Sequence, residues 1–152
     1  MILLLGDMRS YNYVVIPTHD FDHIKYKIRA IDFDQQSYEG RRAIYLPQYF
    51  KQNNPIIKIG LKHMTQETVQ QYQREERALI ATRVKAEKIR IDDLLSSMVK
   101  ERLSKPEHVD TLRKELAEFY EEPDFLECNN MGELVKLSLE MLIRQPDLYK
   151  DY

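Results

Sequence analysis

Gly6-Asp7, Asn12 and Asp32-Phe33-Asp34 are the residues of this chain whose types and spacing suit chemistry. Asn12 follows Asp7 by five residues, and Asp32 closes a later apolar run. Hard oxygen donors in such a set suit phosphoryl transfer. One carboxylate orients or deprotonates the attacking hydroxyl. A carboxylate and an amide oxygen hold magnesium, which prefers oxygen ligands in octahedral geometry. The same residue types also have a structural use, because Asp and Asn close turns by bonding nearby backbone.

Strand ends hold reactive groups more rigidly than free loops do, and the flanking sequence reads as strands. Residues 2–5 are continuously apolar, as in a strand buried on both faces, and Gly6 breaks the run. Residues 13–16 are aromatic and β-branched, and Pro17 is expected to end them. After a polar turn over 18–23, residues 24–33 alternate. Ile24, Tyr26, Ile28, Ala30 and Asp32 share one side; Lys25, Lys27, Arg29 and Ile31 share the other. Two strands about a polar turn predict an antiparallel hairpin, whose open end brings Asn12 near Asp32.

Beyond the hairpin the pattern turns helical. Pro47 suits the first turn of a short helix over 46–52, and Pro55 that of another over 56–63. Thr65 is expected to N-cap a long charged helix to about residue 88, and a second helix is expected over 91–103. Ser104 with Glu107 forms a capping-box pattern ahead of Val109, Leu112 and Leu116. Asn130 with Glu133 caps a last helix that is apolar almost all round, which places it at the centre of a core; Pro146 ends it, and 147–152 read as a loose tail. Strands early and helices later predict an α+β fold, a short antiparallel sheet followed by four to six helices.

The ordered set Gly6-Asp7, Asn12 and Ile31-Asp32-Phe33-Asp34, with strand patterns between, resembles the catalytic loop and metal-binding segment of the protein-kinase-like fold. It is most similar to the aminoglycoside phosphotransferase and choline kinase branch. The resemblance covers about forty residues. It implies Asp7 as catalytic base and Asn12 and Asp32 as metal ligands. Asp34, whose role it leaves open, is kept with them as a further candidate ligand. It also implies magnesium and ATP as cofactors and an activation-like loop within residues 1–62, with 63–152 helical, in a single domain. Leu5 stands where that branch has His, and Arg9 where it has His or Lys. No Gly-rich strand-turn-strand and no Lys-bearing strand precede Asp7. The expectation is therefore a C-terminal phosphotransferase lobe, not active alone, whose partner is a missing N-terminal lobe or a second copy.

Composition narrows the alternatives. Acidic and basic residues nearly cancel, 25 against 23, so no basic excess points to nucleic acid or an anionic membrane. A single cysteine, Cys128, makes a disulfide scaffold impossible within the chain and fits a reducing cytoplasm. His19, His23, His63 and His108 have no zinc-ligand spacing. No apolar stretch approaches a membrane span. A non-enzymatic helical interaction or regulatory module is the other reading, suggested by the long charged helix.

Overall fold

The computed structural model describes residues 3–144. It runs through β1 (Tyr13–Asp20), β2 (His23–Ala30), α1 (Asn54–His63), α2 (Gln66–Ala86), α3 (Lys88–Lys100), α4 (Pro106–Tyr120) and α5 (Met131–Arg144). Short 3-10 turns fill the connections, notably Ser10–Asn12 and Pro123–Glu127. The fold is α+β, an antiparallel hairpin followed by five helices among the described residues. None of these helices is long and apolar enough to cross a membrane.

β1 and β2 pair from Tyr13↔Ala30 to Asp20↔His23, leaving a two-residue turn at Phe21 and Asp22. Phe21 has φ +52°, the left-handed conformation that tight hairpin turns need at their first central residue. The strand does not stop at Pro17 as the sequence suggests. In a two-stranded sheet both strands are edges, and Pro17 needs no N–H where its backbone faces away from β2. The apolar run at the N-terminus is not a strand over residues 3–5. Leu4 has φ +47°, which extended backbone forbids, and its side chain is fully buried. Ile2 lies outside the described residues.

The core lies among α3, α4, α5 and the Pro123–Glu127 turn. Leu112, Leu116, Phe125, Leu134 and Leu142 are fully buried there, each contributing about 1.5–3 kcal/mol of transfer free energy. α5 buries Met131, Leu134, Val135, Leu139 and Leu142 along its length, the central position its sequence implies. Its N-terminus is capped as expected: Asn130 Oδ1 accepts from Glu133 N–H at 2.9 Å, and Glu133 Oε2 accepts from Asn129 N–H at 2.6 Å. Thr65 caps α2 in the same way, accepting from Thr68 N–H at 3.2 Å. α1 buries nothing, and α2 buries only Arg77 and Ala81. The helix expected over 56–63 is α1, which begins two residues earlier, at Asn54. Residues 46–52 form two 3-10 turns, Pro47–Tyr49 and Lys51–Asn53, because Phe50 between them is extended. The expected helix stop at Pro146 and the tail over 147–152 lie outside the described residues.

Candidate functional site

The loop bearing Asp7 is fastened from four directions. Leu4 sits in the core and accepts Ser37 N–H through its carbonyl at 2.9 Å. Gly6 packs so closely on the segment after Asp34 that a Cβ would lie 2.3 Å from the Gln35 carbonyl oxygen. Only glycine permits that approach. Asp7 itself has φ +48°, a left-handed conformation that Asp tolerates better than most residues. Its carbonyl oxygen accepts twice, from Arg9 N–H at 2.7 Å and from the Asn12 side-chain amide at 2.8 Å. From the other side Asn53, almost fully buried, donates through Nδ2 to the Met8 carbonyl at 2.7 Å and to the Pro47 carbonyl at 2.7 Å.

The Asp7 carboxylate is asymmetric. Its Oδ2 is ion-paired with Arg9 at 3.0 Å. Its Oδ1 is buried and has no hydrogen-bond partner among the described residues. A buried carboxylate oxygen without a donor carries a desolvation cost, which sets Oδ1 apart from the paired Oδ2. The Arg9 guanidinium also donates to the Tyr11 hydroxyl at 2.8 Å and lies over the Phe50 ring, 5.4 Å from its centroid. The Tyr11 contact first, and the Asp7 charge second, raise the Arg9 pKa above its ordinary value. Asp7, Arg9, Gln35, Glu39, Ile44 and Phe50 line one cleft of about 260 Å³.

The hairpin brings the other candidates to this loop. The Asn12 carbonyl accepts Ile31 N–H at 3.0 Å, so Asp32 is one residue from a direct backbone bond to Asn12. Asn12 is buried and spends its amide N–H₂ on Asp7, which leaves Oδ1 as its remaining oxygen donor. Asp32 is exposed; its Oδ1 accepts Asp34 N–H at 3.2 Å, closing an Asx-type turn. Asp34 is exposed too and lines a separate hollow of about 210 Å³ with Ser37, Met98 and Ser104. The structure thus joins Asp7 to Asn12, and Asn12 to the strand end before Asp32. Among the described residues no three of His, Cys, Asp and Glu come together as a metal-binding group.

The segment between Asp34 and α1 is pinned to α4. His108 Nδ1 bonds the Tyr38 carbonyl at 2.8 Å, Arg42 N–H donates to Glu115 Oε2 at 2.6 Å, and the Arg42 guanidinium lies 4.3 Å from the Phe119 ring centroid. Tyr45 is buried and donates its hydroxyl to the Glu39 carbonyl at 2.6 Å, and burial raises its phenol pKa. The paired arginines are thus split in role, with Arg42 stacked and Arg41 exposed.

Two contacts of the site are not foreseen from the sequence, where Arg9 stands only as a departure from the resembling pattern. Arg9 as the partner of Asp7 depends on the tight turn at Met8, which folds two residues back on one another. Asn53 carries no motif at all, and only its buried position shows that it ties the loop to α1. Comparison with known proteins finds no matching family model, no matching curated protein and no matching solved structure.

Proposed function

We propose that Asp7, Asn12 and Asp32 form the base-and-metal half of a kinase-like phosphotransferase site, of the aminoglycoside phosphotransferase and choline kinase kind. The observation that carries the reading is the buried Oδ1 of Asp7, without a partner among the described residues, with Asn12 fastened to the same residue and to the strand end before Asp32. Asp7 Oδ1 takes the proton of an attacking hydroxyl while Arg9 holds Oδ2 and fixes the carboxylate plane. Asn12 Oδ1 and the Asp32 carboxylate are the hard oxygens that would hold magnesium. Two protein ligands suffice, because magnesium keeps waters and phosphate oxygens in its remaining positions. When bound, the ion supplies neutralisation of phosphate charge. Asp34 serves by donating its N–H to Asp32. None of these groups grips the nucleotide's phosphates, so ATP affinity and turnover by this chain alone are expected to be low. A single cysteine with no disulfide to form suits a cytoplasmic setting.

Isothermal titration with magnesium and ATP tests the reading. The chain is expected to give a weak, magnesium-dependent heat that Asp32→Ala abolishes, with both proteins equally folded by circular dichroism. Equal heats in the two, or no magnesium dependence, would sink it.

A second reading, a non-enzymatic interaction or regulatory module, is favoured by the uncovered apolar face of the hairpin, where Tyr26 and Ile28 are 68% and 72% exposed.

A further inference from the structure

An isolated two-stranded hairpin is marginally stable in water and gains from a third strand. Among the described residues β1 and β2 pair only with each other. Val15, Ile24, Tyr26 and Ile28, which the register sets on one face, all lie more than half exposed.

The two open edges differ. Ile31 N–H donates to the Asn12 carbonyl, so the hydrogen-bonded pairs fall at alternate positions: Val14 with Arg29, Ile16 with Lys27, Thr18 with Lys25. The backbone groups of Ile24, Tyr26 and Ile28 then point outward from β2. On β1 the outward position opposite Tyr26 is Pro17, which has no N–H. β1 is a guarded edge and β2 an open one. The other face of β2 carries Lys25, Lys27 and Arg29. Lys25 is ion-paired with Asp20, whereas no ion pair engages Lys27 or Arg29 among the described residues. Two copies joined β2 to β2 would bring these cations into one like-charged patch, which disfavours self-pairing there.

We propose that the open edge of β2 takes an extended acidic peptide strand in which apolar side chains alternate with Asp or Glu. The apolar side chains join Ile24, Tyr26 and Ile28 on one face. The carboxylates meet Lys27 and Arg29 on the other. Main-chain bonds supply affinity and the alternate side chains supply selectivity, the usual division in strand addition. The inference stands on the hairpin alone and holds whether or not Asp7 serves phosphoryl transfer.

The probe is an end-labelled peptide alternating Val and Glu, eight residues long to match β2. Fluorescence anisotropy is expected to show saturable binding, and amide exchange to slow at Ile24, Tyr26 and Ile28. A peptide alternating Val and Lys is expected to bind at least about tenfold more weakly, and so is one with Val and Glu in separate blocks. Ile28→Pro removes an outward donor without touching the ladder to β1, and it loses the binding while retaining the helical circular dichroism. Lys27→Glu combined with Arg29→Glu shifts the preference to the Val/Lys peptide.

Equal binding of the Val/Glu and Val/Lys peptides, undiminished binding by Ile28→Pro, or no binding at millimolar peptide overturns the proposal. A sedimenting dimer whose β2 amides are already protected overturns it in favour of a second copy. Phosphatidylglycerol vesicles that displace the peptide overturn it in favour of an anionic lipid surface.

Discussion

At the scale of residues, a few side chains do their work through single atoms. The Asp7 carbonyl gathers two donors, and its carboxylate is divided between an oxygen paired with Arg9 and a buried one without a partner among the described residues. Asp7 and Asn12 are legible in the sequence as a spaced pair. That Asn12 turns its amide on the Asp7 backbone is not, because it depends on the left-handed turn at Asp7 and the 3-10 turn over Ser10–Asn12. Cys128 offers a pH test. It is nearly buried, and burial, with Glu133 and Asp124 adding to it, pushes its thiol up to about 11. The unfolded thiol titrates near its ordinary value of about 8.5, so the folded chain holds the proton more tightly. This contribution is complete below the unfolded value and is lost as pH rises through the folded one. Urea midpoints are expected to fall between about pH 8 and about pH 10, and to fall less in Cys128→Ala. Parallel declines in the two proteins would place the alkaline sensitivity elsewhere, with the buried Tyr45 phenol the next group to examine.

At the scale of elements, most helix positions follow from local pattern, and the exceptions have local causes. Ser104 reads as the N-cap of α4, but that place belongs to Lys105 and the Ser104 hydroxyl accepts Met131 N–H of α5 at 3.2 Å. Proline disfavours helical backbone in the residue before it, so Lys105 stays extended and Pro106 takes the first helical position. The freed Ser104 then caps a different helix, which no local pattern reveals. Gly132 lies where α5 crosses close against the α3 backbone. A Cβ there would lie 2.4 Å from the Met98 carbonyl carbon and 2.6 Å from Val99 N. Ala in place of Gly gains about 1 kcal/mol of helix propensity, but the clash is with backbone and costs about 1–3 kcal/mol or more. The clash wins. Gly132→Ala is expected to lower the urea midpoint, and an unchanged or raised midpoint would show that the two helices separate freely.

At the scale of the whole molecule, the chain is unevenly built. α3, α4 and α5 share a closed core, while the hairpin and α1 leave Ile24, Tyr26, Ile28, Ile56, Ile59 and Leu61 exposed. Amides in regions with few buried contacts open without global unfolding. Hydrogen exchange is therefore expected to be slowest in α4 and α5 and faster by orders of magnitude in β1, β2 and α1. Equal protection throughout would mean that the hairpin is covered in solution.

The sequence by itself determines the antiparallel hairpin, the helices that follow it from α1 to α5, the caps at Thr65 and Asn130, and the central place of α5. Periodicity, capping and proline chemistry act within a few residues, so they can be read along the chain. Only the tertiary structure decides that Leu4 leaves extended backbone to enter the core, that Arg9 and Asn53 hold the Asp7 loop, that Ser104 caps α5, and that Asp34 lines a separate hollow. Each of these depends on where the chain returns in space, and a buried donor takes whichever acceptor the packing brings to it.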